Sequence, residues 1–325
     1  MKGATTNRRV TTHIIASLAL VALIVHLMTI HRYGYFRDEL YYIACARHLD
    51  FGYVDLAPLS AFLLRIELIL FGSSLFALRI FPALASALTI VLTGILTREL
   101  GGRAWAIALA CTSMLGSLFF LAVGNFYSPN VYEPLFWTGA IYLLCRIVNG
   151  APSHTWLWFG VVVGFGIQNK HSMVFFGVAI VLAILLTPQR RQFAQKWIWL
   201  GGLIALVIAL PNIIWQIDRG WPTWVLLHGI AKSNKNVVLS PWEFFFQQIT
   251  LMNPALSAVV RRVDLAARLP RRPALPRHRF HLLNRSHRIR RHAREELLPG
   301  PGLSDVICGG WRCFRETFRT ALPLA

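Results

Sequence analysis

The sequence predicts an all-α, polytopic membrane protein, and three observations carry that prediction. Of the 325 residues, 55% are hydrophobic and only 14% charged, where a soluble domain carries about 25% charge. Mean hydropathy is +0.52. Apolar runs approaching the roughly 20 residues that cross a bilayer follow one another from Ile14 to Ile217.

The first run, residues 14–30, follows Lys2, Arg8 and Arg9 and leads into His31-Arg32-Tyr33 with no small-residue cleavage site. It therefore reads as an uncleaved helix and not a signal peptide. A polar loop, residues 31–55, comes next. Pro58–Phe71 is apolar but carries Arg65 and Glu67, which suits a helix lying at the membrane interface. Further spans are expected at residues 75–97, 104–123, 131–147, 155–167, 173–187 and 197–217, with an eighth beginning near Phe244.

Orientation follows from charge. With the amino terminus in the cytoplasm, the inner loops hold Arg98, Arg103, Arg146, Arg190, Arg191 and Lys196, as the positive-inside rule requires. The outer segments are then residues 31–55, 125–129, 169–171 and 218–240. Asp38, Glu39, Asp50, Asp55 and Asp218 all fall in them, and Glu133 lies at the outer end of its helix. A functional cluster and ordinary solvated loops both fit this distribution.

The basic excess is uneven. Residues 1–256 hold 18 Lys plus Arg against 9 acids, whereas residues 257–325 hold 15 Arg, no Lys and 5 acids. The chain thus divides into a multi-span body, 1–256, and an Arg- and Pro-rich tail, 257–325. The tail reads either as a basic arm for anionic lipid or nucleic acid, or as out-of-frame text in which further membrane helices have been lost. The second reading is the expectation, and nucleic acid is not an expected partner. Cys45, Cys111, Cys145, Cys308 and Cys313 show no paired spacing, so they read as small core residues and neither as disulfides nor as a zinc site.

Four stretches then stand out in order. An acidic pair, Asp38-Glu39, opens the first outer loop within YFRDELYYIACARHLDFGYVDLAPLSAFL. LRIFPALAS spans residues 78–86, YSPNVYEPLFWTGAIYLL residues 127–144, and NKHSM residues 169–173. In these features the chain resembles the lipid-linked-sugar glycosyltransferases of the GT-C class. It is similar to glycosyltransferase family 39, which includes protein O-mannosyltransferases and the aminoarabinose transferase of lipid A. The resemblance covers roughly residues 10–255. It departs at Asp55-Leu56-Ala57-Pro58, where relatives often have His-Pro-Pro or Gln-Pro-Pro, and at Asn130, where many carry Asp.

The resemblance implies a GT-C-type helical bundle with interfacial helices in its first outer loop. It also implies transfer of a sugar from a polyprenyl-phosphate donor to a lipid, glycan or protein acceptor at the outer face of a bacterial plasma membrane. Such a reaction needs a base for the acceptor hydroxyl and positive charge for the departing phosphate. Asp38 is the candidate base, with a helix N-cap as its structural alternative; Glu39 is its catalytic support. Lys170 fits a phosphate contact or a snorkelling lysine. Arg79 fits a phosphate contact or a structural ion pair, Glu133 a sugar contact or a helix start, and His171 packing or a phosphate contact. Asp55 completes the substrate-binding candidates. No nucleotide loop and no metal constellation appears, so no cofactor is expected, although some relatives use a divalent ion. A transporter or flippase of lipid-linked substrates is the alternative; internal repeats would mark it, and none is evident. A membrane-anchoring or assembly protein is a third class, in which Asp38 and Glu39 would be dispensable.

Overall fold

Glycine, proline and polar breaks divide the apolar text into helices, and these pack side by side in a bundle. The computed structural model describes residues 2–232 and 239–252, with side chains from residue 8. The 257–325 tail, Cys308 and Cys313 lie outside the described residues. Twelve α-helices are found among them and no strands. In order they are α1 (Lys2–Thr29), α2 (Arg37–Arg47), α3 (Pro58–Phe71), α4 (Leu75–Glu99), α5 (Ala104–Leu115), α6 (Leu118–Val123), α7 (Pro129–Val148), α8 (Thr155–Asn169), α9 (Met173–Leu185), α10 (Lys196–Asp218), α11 (Pro222–Lys232) and α12 (Pro241–Met252).

The span count differs from the expected eight. Among the described residues, α1, α4, α7 and α10 are each long and apolar enough to cross a membrane. A fifth arises if α9 and the 3-10 turn Pro188–Ala194, bent by 106° at their junction, form one span. The expected span 104–123 is broken at Gly116-Ser117 into α5 and α6. Hydropathy does not register that break, because both pieces are apolar. At 15 residues, α8 is only about 22 Å long. Of the expected eighth span, α12 lies among the described residues and the remainder does not.

Three large apolar clusters hold the bundle, and a small fourth one, Cys45, Leu56 and Ala61, seats α2 on α3. Ile15, Ala19 and Ala22 of α1 meet Ile90 of α4 and Ile107 and Cys111 of α5. Ala46, Leu64, Leu78, Tyr127, Val131 and Tyr132 join α2, α3, α4 and the start of α7. Ala140, Trp156, Val163, Phe176, Ile180 and Ala205 join α7, α8, α9 and α10. The crossing of α8 and α10 is built on glycine. A Cβ on Gly160 would strike the Gly201 carbonyl, one on Gly201 would strike the Trp156 carbonyl, and one on Gly164 would lie 2.8 Å from Ile208.

Polar groups sort to the two ends. At one end Asn149 Nδ2 donates to the Glu99 carbonyl and side chain, and Trp156 Nε1 donates to Gln192. At the other end the segments 31–55, 125–129 and 169–171 and the end of α10 come together. The helix α3 starts at Pro58, whose missing N–H suits a first turn. It packs on α2, α4 and α8. The expectation that its charges sit at the interface fails for Glu67, which is fully buried.

Candidate active site

The end that gathers these segments is organised by one ion pair. Arg79, in the first turns of α4, and Glu39, in the first turn of α2, are both buried. Arg79 Nε and Nη2 lie 2.9 and 2.8 Å from the two Glu39 oxygens. The remaining Arg79 N–H groups donate to the carbonyls of Ile30, Tyr33 and Gly34 at 2.7, 3.0 and 2.7 Å. All five donors of the guanidinium are thereby used. Glu39 also accepts from the Phe36 N–H at 2.8 Å and the Tyr127 N–H at 2.8 Å. Each of its oxygens therefore receives two donors. This knot ties the end of α1, the loop after it, α2, α4 and the approach to α7.

The knot sets the aim of Asp38. Helix α2 begins at Arg37, with Phe36 in the N-cap position, so Asp38 is not the cap. The return bond to the Phe36 N–H comes from Glu39. Asp38 stands one residue along, 42% exposed, with its carboxylate 3.0 Å from Arg37 Nε. Three residues on, the Tyr41 hydroxyl donates to Asp55 at 2.5 Å. Burial, followed by that bond, pushes the Tyr41 hydroxyl above its usual range. Tyr42 lies within the electrostatic reach of both Asp38 and Asp55; burial first and those charges second push it up to about 12. Asp38 and Asp55 therefore flank one aromatic pair.

A second cluster forms where α8 ends. Lys170 Nζ donates to Asn130 Oδ1 at 2.9 Å and to Glu133 Oε2 at 2.8 Å, with side chains 41% and 21% exposed. The Ser172 hydroxyl donates to the other Glu133 oxygen. His171 Nε2 lies 2.9 Å from Asn212 Oδ1, and Asn212 Nδ2 donates to the Phe51 carbonyl at 2.8 Å. The end of α10 is in this way attached to the first loop. Arg219 and Asp50 add an exposed contact at 3.7 Å.

The two clusters are joined through backbone. Asn169 Nδ2 donates to the Pro129 carbonyl at 2.9 Å, two residues from the Tyr127 N–H held by Glu39. Among the described residues no hydrogen bond or ion pair links Asp38 to Lys170 or Glu133, and none groups three His, Cys, Asp or Glu side chains for a metal ion. Sequence reasoning marked Asn169 and Ser172 only as part of the NKHSM stretch, with no role of their own, and passed over Asn212. A signal existed for Asn212, which follows Pro211 as an isolated polar residue within LIALVIALPNIIWQ.

Comparison with known proteins places this end of the bundle in context. Residues 55–215, just under half of the chain, match the sequence profile of the family described as dolichyl-phosphate-mannose-protein mannosyltransferase. The match takes in Asp55, Arg79, Glu133, Lys170 and His171 and begins beyond Asp38 and Glu39. The chain is 26% identical over 187 residues to lipid A galacturonosyltransferase RgtD of Rhizobium johnstonii, over 57% of this chain and 39% of that protein. It thus spans about two fifths of the length of the curated relative it matches. No solved structure matches. The helical, multi-span bundle and the two sequence matches make the chain similar to the membrane glycosyltransferases of the GT-C class.

Proposed function

We propose that the chain transfers a sugar from a polyprenyl-phosphate donor to an acceptor hydroxyl on a lipid, glycan or protein. The reaction takes place at the outer face of a bacterial plasma membrane, with the amino terminus in the cytoplasm. One observation carries the proposal. Asp38 is an exposed carboxylate on a helix whose next side chain, Glu39, is sunk in a saturated ion pair. A base held on such a rigid mount beside solvent meets the first requirement of general base catalysis, a fixed geometry toward the proton it removes.

In the step proposed, the acceptor O–H proton passes to an Asp38 oxygen as the acceptor oxygen bonds to the anomeric carbon. The bond from that carbon to the donor phosphate oxygen breaks, and its electron pair leaves with polyprenyl phosphate. Lys170 stabilises the departing charge. Two of its three N–H donors are held by Asn130 and Glu133, which leaves one for a phosphate oxygen. Glu39 and Arg79 position Asp38. Asp55, through Tyr41, and His171, through Asn212, hold the first loop that borders the substrates.

The test is release of polyprenyl phosphate from a polyprenyl-phosphate sugar by membranes containing the full chain. Asp38→Asn keeps size and shape at an exposed position and is expected to lower turnover by about 10²–10⁴-fold. Turnover at the wild-type level would remove Asp38 from the chemistry. Absence of release from the wild-type chain would overturn the proposal as a whole.

A further inference from the structure

Glu67 is the buried acid that the proposed chemistry does not use. It lies on α3, fully buried, and its Oε1 accepts from the Phe81 N–H of α4 at 2.9 Å. Phe81 immediately precedes Pro82, whose ring leaves the α4 backbone ladder one donor short. Oε2 is buried and has no partner. The Tyr132 hydroxyl of α7 is likewise buried, with the Tyr127 hydroxyl as its side-chain hydrogen-bond neighbour and its own lone pairs left without a donor. The electrostatic reach of Glu67 takes in both the Tyr127 and Tyr132 hydroxyls. The Tyr127 hydroxyl donates to the Ser60 carbonyl.

Among the described residues no cation balances Glu67. Arg79, two residues from Phe81, has every donor engaged elsewhere. Arg65 on the same helix makes no ion pair with it, and no charged side chain of α2 or α8 pairs with it among the described residues. The titratable groups around it are therefore tyrosines: Tyr127 and Tyr132, with Tyr42 of α2 stacked edge-on against Tyr127. An isolated buried carboxylate is strongly disfavoured and takes up a proton instead. Burial, opposed only by the Phe81 bond, pushes the Glu67 carboxyl up to about 9.

We propose that Glu67 is held as a neutral carboxylic acid whose Oε2–H is shared with the Tyr132 hydroxyl, making it the positioning residue that fixes α3 against α4 and α7. The proton gives the buried Oε2 a partner and supplies a donor to the Tyr132 oxygen, whose own hydrogen is directed to Tyr127. The residue it steadies is near at hand, because the Phe81 N–H is two positions from Arg79. This inference stands on the geometry of α3, α4 and α7, and no part of it requires the transfer reaction.

The experiment is infrared spectroscopy of the purified full chain in detergent, wild type against Glu67→Gln. At neutral pH the wild type is expected to show a protonated-carboxyl band that shifts in D2O and is missing from E67Q. Tyr132→Phe is expected to move that band by removing the oxygen that shares the proton. A difference spectrum with no such band would overturn the neutral state, and a band unmoved in Y132F would overturn the sharing.

Stability supplies a second readout. A carboxyl raised in the folded protein contributes stability that is whole below about 4.5 and is lost as pH rises toward about 9. Wild type should therefore lose stability relative to E67Q by up to about tenfold in the unfolding equilibrium per pH unit across that window. Parallel pH profiles for the two proteins would overturn the inference.

Discussion

Two acid–base pairs sit at the same end of this bundle and differ in almost every other respect. Glu39–Arg79 is sealed, with each donor and acceptor matched inside the protein. Glu133–Lys170 is open, partly exposed, and leaves one ammonium hydrogen free for something outside the chain. The difference separates two tasks within one site. A charge that has used its whole hydrogen-bonding capacity can define where backbone segments lie, but it has nothing left for a ligand. A charge with capacity to spare can meet a substrate, and contributes little to holding the fold.

The contrast is broken most directly at Arg79. Arg79→Met strands the Glu39 carboxylate and the Ile30 carbonyl in the interior and releases the Tyr33 and Gly34 carbonyls. Removal of one partner of a buried pair costs about 3–5 kcal/mol, measured by thermal or denaturant unfolding in detergent. Adding Glu39→Gln to the same chain should recover part of that loss, because the uncompensated charge is then gone. Wild-type stability in Arg79→Met would show that the knot does not organise this end.

Asn169→Leu tests the bridge between the two regions. It removes the bond to the Pro129 carbonyl and leaves that acceptor buried, an effect of about 1–3 kcal/mol in the same unfolding measurement. An unchanged midpoint would mean that the two clusters are held independently.

Lys170→Ala should be the mildest in stability, about 0–1 kcal/mol, as for other exposed pairs. Transfer should nevertheless fall by about 10²–10³-fold, the usual consequence of deleting one electrostatic stabiliser. Release assays on membranes set the two effects side by side. A large stability loss with transfer intact would make Lys170 a second structural pair and erase the contrast.

The sequence carried much of the architecture, because hydropathy and charge are local properties. It gave the limits of α3 to the residue, from Pro58 to Phe71, and it gathered the polar residues into the segments that the structure brings to one end. It missed the break at Gly116-Ser117, where both flanks are apolar and only helix geometry changes. Partnerships were less legible. Arg79 lies 40 residues from Glu39, and nothing local indicates that the two meet, still less that three carbonyls of the first loop complete the set. Glu67 misled for a related reason. On an apolar helix an acid reads as the side facing water, and only the Phe81 N–H across the gap to α4 shows that it faces inward. Asp38 beside Glu39 read as one acidic pair, yet a turn of 100° per residue about the helix axis sends the first to solvent and the second to the core.

The glycine crossing of α8 and α10 has a mechanical consequence. Where Gly160 meets Gly201 and Gly164 meets Ala205 and Ile208, backbone lies against backbone with almost no side chain between them to switch rotamers. Such a seam cannot slide by repacking, so the two helices behave as one stiff beam. That beam carries Asn169 and Lys170 at the tip of one member and Asn212 near the tip of the other. Any movement at this end of the bundle must then come from the parts tied to the beam by side-chain hydrogen bonds and ion pairs, the first loop at Asp50 and Phe51 and the start of α7 at Pro129, Asn130 and Glu133.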